Sequence, residues 1–139
     1  MKVETCHLST STHGHSDVVD LTDQLAQAIA TSGLKAGTAT LFVSGSTAGL
    51  STIEYEPGAV KDLELALEKL APENGTYHHH ATWGDDNGSA HVRACLMGPS
   101  LVVPFREGRP LLGTWQQVVL VDFDTRPRDR RIVVQLIGE

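Results

Sequence analysis

Residues 77–91, YHHHATWGDDNGSAH, hold four of the chain's seven histidines together with Asp85 and Asp86. Neutral imidazole is a good ligand for zinc and related ions, and a catalytic zinc takes about three protein ligands with one position left open. His78, His79, His80, Asp85, Asp86 and His91 supply enough donor atoms for that. Their spacing is less specific. Adjacent histidines in an extended segment point to opposite sides, so at most two of His78, His79 and His80 reach one ion, and no HExxH-type helical spacing is present. The same residues also read as a polar surface loop in which Asp85-Asp86-Asn87-Gly88 is a turn into the next segment.

A second segment, SGSTAGLST at residues 44–52, offers hydroxyls and flexible backbone N–H groups of the kind that cradle phosphate. It lacks the GK[ST] of a P-loop, the GxGxxG of a dinucleotide fold and the GxSxG of a nucleophile elbow, so it supports neither an NTPase, a dehydrogenase nor a serine hydrolase. Glu54 and Glu56 add carboxylates nearby and read first as exposed acids. The run RPRDRR at residues 126–131 holds four arginines, able to grip an anion by charge-assisted hydrogen bonds or to sit in a solvated turn. Trp115 reads as a core or interface aromatic, and Trp83, inside the His-rich stretch, is the better-placed stacking residue. Cys6 and Cys95 have no CxxC spacing and read as buried free thiols.

The elements that must position these residues are partly legible. Residues 2–10 alternate as a strand. Val18, Leu21, Leu25, Ala28 and Ile29 form a helical stripe, which predicts a helix over residues 17–31 capped by Ser16 or Asp17 and ended by Gly33. TATLFVSG reads as a buried strand, and a second strand runs through Ile53 and Tyr55 to a Pro-Gly turn. Val60, Leu63, Leu67 and Leu70 predict a second helix, stopped at Pro72. GSAHVRACLMG suits either a helix, with Ser89 as a cap, or a strand. SLVVPF, RPLLG, TWQQVVLVDFD and RIVVQLIG predict an antiparallel meander. The expected fold class is α+β: a single two-layer domain over residues 1–139, its mixed or antiparallel sheet carrying two main helices on one face. The last strands are more apolar than a half-exposed strand needs, which a second subunit or a two-sided core would explain.

Composition bounds the function. At 139 residues the chain is one domain in size, and 40% hydrophobic with 20% charged residues fits a packed globular fold. Its net charge of -6 argues against nucleic acid or an anionic membrane as partner. With no apolar stretch long enough for a membrane span and no signal-type leader, a cytoplasmic location is expected.

Several segments together resemble the YjbQ-like family, the secondary thiamine-phosphate synthases. They are STAGL at 46–50, His80 with GDDNGSAHVRACLMGPSLVVP ending at 104, GR at 108–109, GTWQQVVLVDFD at 113–124 and RRIVVQLIGE at 130–139. The resemblance implies a compact subunit of a homotrimer, with a polar pocket near a subunit boundary. It also implies a weak transfer of a hydroxymethylpyrimidine group from its diphosphate to a thiazole phosphate. His80 and His91 fall on the family's two histidine positions here, Asp86 on a common acidic position, and Ser46 and Thr47 on its hydroxyl pair. On that match catalysis is expected of His91 and Asp86, a divalent metal (zinc or magnesium) at His80 and His91, and phosphate at Ser46 and Thr47; Arg93, a nearby cation in an acidic chain, is a further phosphate ligand expected from its charge. One departure stands out: Gly45 replaces the histidine that usually begins the His-Thr-Thr-Ala or His-Thr-Ser-Ala segment, and His79 is the candidate replacement ligand. Two other functions use the same residues: a metal-assisted hydrolase of a small phosphorylated metabolite, and a non-enzymatic oligomeric protein that binds a small anion.

Overall fold

The computed structural model describes all 139 residues. They form β1 (Lys2–Thr12), β2 (Asp17–Asp20), α1 (Thr22–Ser32), β3 (Ala36–Val43), β4 (Ala48–Ile53), α2 (Pro57–Leu70), α3 (His78–Trp83), α4 (Gly88–Met97), β5 (Ser100–Arg106), β6 (Arg109–Pro110), β7 (Gln117–Asp122) and β8 (Arg128–Gly138). The fold is α+β and every strand pairing is antiparallel. No helix is long and apolar enough to cross a membrane.

The strands divide into two sheets, one ordered β1-β8-β3-β5-β6 and the other β2-β7-β4. Of the expected meander only the first hairpin, β5–β6, forms. SLVVPF pairs with β3, while the two most apolar runs each enter the middle of a different sheet between strands from the first half of the chain. Local periodicity identifies strands but carries no information about which distant strand each one joins.

Between the sheets lies the main core, in which Leu8, Leu41, Ile132, Val134 and Leu136 of the larger sheet meet Leu50, Val118 and Leu120 of the smaller one. Helix α1 lies against that core through Leu25 and Ile29, reaching from β1 to β6. The opposite face of β7, carrying Val119 and Val121 and continued by Phe123, packs against Leu67 of α2 and Ala90 and Ala94 of α4. Strand β7 is thus sealed on both faces within one chain, which accounts for the apolar excess of VVLVDFD. The outer face of β8 differs: Ile137, Gln135 and Arg131 are exposed there.

Three local expectations change. Residues 17–20 are strand β2 and the helix starts at Thr22, because Val18 and Val19 are β-branched and Val19 pairs with Leu120. The three consecutive histidines begin a short helix, α3, so they splay by about 100° per residue and do not alternate. The ambiguous GSAHVRACLM is helix α4, preceded by Asn87 at the cap position in place of Ser89.

Candidate active site

The two sheets do not close on apolar residues alone. At one end of the main core, β1, β7, β8 and the loop before β4 contribute a polar plug. Arg130 donates to both oxygens of Asp122, from Nε at 2.6 Å and from Nη2 at 2.9 Å, and Thr12 Oγ1 adds a third bond at 2.6 Å. Nη2 also donates to Thr47 Oγ1 at 2.7 Å, and that hydroxyl in turn donates to Asp124 Oδ2 at 3.0 Å. Arg128 Nε completes the set at 2.9 Å from the same carboxylate oxygen. Asp122 and Asp124 are 0% and 1% exposed. Burial by itself pushes their pKa values up. For Asp122 the bonds from Arg130, Thr12 and the Asp124 backbone N–H outweigh it, and for Asp124 those from the Thr125 backbone, Thr47 and Arg128 do, so both carboxyls titrate below the ordinary range.

Thr47 makes this plug a positioning device. Its backbone carbonyl accepts from Phe123 N–H at 2.9 Å while its hydroxyl is held in the plug, so the 44–47 loop is tied down at its last residue. Ser46 and Gly45 stay exposed, facing α4 across a cavity of about 220 Å³ whose other walls include His91, Cys95 and Pro99. The structure thus brings Ser46 together with His91, and it places the other expected phosphate ligand, Thr47, inside the protein network.

Helix α3 carries the remaining imidazoles. The His79 ring stands 4.4 Å from that of His91, edge toward face, and His79 Nε2 lies 3.1 Å from Asp85 Oδ2. His80 does something else: its Nε2 accepts the Gly88 backbone N–H at 3.0 Å, satisfying an otherwise orphaned donor in the first turn of α4, and its ring leans on Tyr77. His78 is exposed. Asp86 accepts from Thr125 Oγ1 at 2.9 Å, joining the α3–α4 turn to the end of β7. The acid beside the imidazoles is its neighbour Asp85, and nothing in the sequence distinguishes the two.

Arg93 is only 3% exposed, and its guanidinium donates to Ala71 O, Ser16 Oγ and Glu68 Oε2. It braces α4 against α2 and holds Ser16 in the left-handed backbone region at φ 66°. Two further expectations are corrected. Cys95 is exposed at the cavity and Cys6 is half-buried. Trp115 is 72% exposed, in the loop before β7 and at the end of the smaller sheet away from the cavity, because residues 111–116 form no strand and of them only Leu112 packs on the core.

Whether these donors fit a metal can be tested on their geometry. His80 has spent Nε2 on a backbone amide, and no group of three or more His, Cys, Asp or Glu side chains in the chain is arranged to hold an ion. The set does not fit a metal centre built from one chain.

Gly88 is what lets α3 lie on α4. A Cβ there would come within 2.5 Å of Tyr77 Cβ and 3.0 Å of His80 Nε2. Gly88→Ala is expected to cost about 1–3 kcal/mol through overpacking and to lift α3 away. Histidine ring signals of His79 and His91 in the NMR spectrum should then lose their mutual shift. Unchanged signals would mean that α3 adapts without moving.

Two antiparallel sheets with helices on the outside of the smaller one, and a hydroxyl–imidazole cavity at the end of a polar plug, define a class of small α+β protein. The chain belongs to the UPF0047, YjbQ-like family, whose model matches residues 6–139. It is 34% identical over 139 residues to a UPF0047 protein of Methanothermobacter thermautotrophicus, spanning 100% of this chain and 95% of that one. A UPF0047 protein of Mycobacterium tuberculosis is 40% identical over 108 residues, 77% of this chain and 78% of its own. Among solved structures, a YbjQ-like protein of unknown function from Sulfolobus solfataricus superposes with a TM-score of 0.92 at 35% identity, covering 99% of both chains. A hypothetical protein of Aeropyrum pernix gives 0.90 at 29% identity, over 98% of this chain and 99% of its own.

Proposed function

We propose that the cavity between residues 45–46 and α4 receives the phosphate end of a small metabolite, and that the protein is a transferase of the thiamine-phosphate synthase type. In that reaction the thiazole nitrogen attacks the pyrimidine methylene carbon, the C–O bond to the diphosphate breaks, and pyrophosphate leaves with the electron pair. Ser46 donates to a phosphate oxygen, and His91, steadied by the His79–Asp85 pair, donates to the oxygen that leaves with pyrophosphate, since the attacking nitrogen carries no proton to remove. The observation that carries this reading is the convergence of Gly45, Ser46 and His91, from distant parts of the sequence, on one cavity. The donor geometry gives no support to the metal-assisted hydrolase.

At about 220 Å³ the cavity is smaller than the roughly 300–1,000 Å³ usual for ligand pockets, so one chain supplies only part of its wall. The remainder is assigned to another copy in a homotrimer. Support comes from the outer face of the larger sheet, where Val3, Phe42, Val102 and Ile137 are exposed. Phe42 and Ser100, paired across β3 and β5, lie next to the Ser44–Gly45 and Pro99 side of the cavity, so a copy seated on this face borders the pocket.

The test is thiamine-phosphate formation from the two substrates by wild type and His91→Ala. A loss of about a hundredfold in turnover is expected, the scale of one general acid–base group. Equal product from both proteins would sink the assignment. Binding of the substrates without turnover would replace it with the non-enzymatic anion-binding role, which Gly45 in the usual histidine position favours.

A further inference from the structure

We infer that Arg130 is a phosphate-binding group of this cavity, reaching it from beneath the 44–47 loop through the opening that Gly45 leaves. The inference rests on the anion-binding part of the reading above and adds a ligand which that reading does not contain.

Arg130 is 9% exposed, and two of its three nitrogens are committed: Nε and Nη2 grip Asp122, and Nη2 also holds Thr47. Nη1 has no acceptor in the protein. Every fully buried side-chain nitrogen or oxygen in the molecule has a partner, so Nη1 is an atom that solvent reaches. Gly45 shows where. A Cβ on Gly45 would stand 2.9 Å from Nη1, and no other atom lies within 4 Å of that position outside the neighbouring residues. Gly45 itself lines the cavity with Ser46 and His91. With no side chain at Gly45, the Nη1 corner lies directly behind a residue of the cavity wall, while Arg130 is not itself among the residues that line the cavity.

The chemistry of that corner selects phosphate. Arginine presents donors in a rigid plane suited to phosphate oxygens, and a guanidinium already locked at two corners loses little freedom when the third takes an anion. The plug is balanced in charge, Asp122 and Asp124 against Arg128 and Arg130, so an anion at Nη1 meets no net negative charge there. A terminal phosphate or diphosphate spanning Ser46, His91 and Nη1 is the ligand class this arrangement takes.

Gly45→Ala isolates the feature, because Gly45 has no positive φ to lose and its Cβ would touch only Arg130. Pyrophosphate is titrated calorimetrically into wild type, Gly45→Ala, Arg130→Lys and His91→Ala. Affinity about tenfold weaker in Gly45→Ala and in Arg130→Lys is expected, the scale of one charge-assisted hydrogen bond. Arg130→Lys keeps the charge but gives up the fork, its bonds to Asp122 and Thr47 included, so amide exchange first checks that its 44–47 loop stays ordered, and Gly45→Ala, which leaves those bonds in place, is the deciding variant. If His91→Ala weakens binding while Gly45→Ala and Arg130→Lys do not, Arg130 is no ligand and the cavity reading stands. If wild type takes no pyrophosphate, or no substitution changes its affinity, both the inference and the cavity reading fall.

Discussion

Asp122→Asn is expected to destabilise the protein by about 3–5 kcal/mol at neutral pH, the cost of leaving one member of a buried ion pair without its partner. Arg130 loses its bidentate acceptor in a site where Asp122 is fully buried, and the next carboxylate, Asp124, lies 3.9 Å from Nη2. The urea midpoint reports the loss directly. The wild-type acid limb provides a second reading of the same pair. An unfolded aspartate titrates at about 3.9, and Asp122 and Asp124 both titrate lower in the folded state. Their contribution is therefore complete above the unfolded value and is lost as pH falls through the folded ones. Wild type should lose stability steeply below about pH 4, and Asp122→Asn, with one depressed carboxyl fewer, should show a shallower slope. A neutral-pH loss under about 1 kcal/mol with an unchanged acid limb would show that Arg130 finds water instead, contrary to burial of the pair.

Phe123→Ala is expected to cost a similar amount, about 3–5 kcal/mol, by a different route. Phe123 is 2% exposed, in the smaller of the two cores, where it packs with Leu67, Ala90 and Ala94. Few large side chains join α2 and α4 to the sheet, and alanines facing the void cannot collapse far enough to fill it. The damage should be local. Amide exchange is expected to accelerate in α2 and α4 far more than in β1, β3 and β8, whose inward side chains belong to the other core. Uniform acceleration would mean that the two cores unfold as one unit.

How far the sequence carried can be seen at particular residues. The helix from Val60 to Leu70 and the strands at residues 2–10 and 38–43 were legible because each follows one period and buries one face. Val18 and Val19 were misread because their apolar spacing satisfies a helix and a strand alike, and only pairing with β7 decides between them. At the site, His91 and Ser46 were identifiable by type, and the structure brings them to one cavity. That Asp85 and not Asp86 lies against His79 has no local signal in the sequence, since a turn directs neighbouring side chains differently. Arg130 was hidden inside RPRDRR. Charge alone cannot tell the arginine that faces inward from those in solvent; the alternation along β8 does so once Ile132, Val134 and Leu136 are assigned to the core face.

The late strands carry a consequence for how the molecule comes to be. β8 lies between β1 and β3, and β7 between β2 and β4, so each sheet lacks its middle until residues 117–138 have been made. A nascent chain lacking them holds two pairs of open strand edges with nothing to join, and almost all of its β pairing spans long separations. Such topologies nucleate slowly and expose edges that recruit other chains. The 44–47 loop shares that dependence, because Thr47 is anchored only when Asp124 and Arg130 arrive. The pocket is therefore among the last parts of the molecule to acquire a shape.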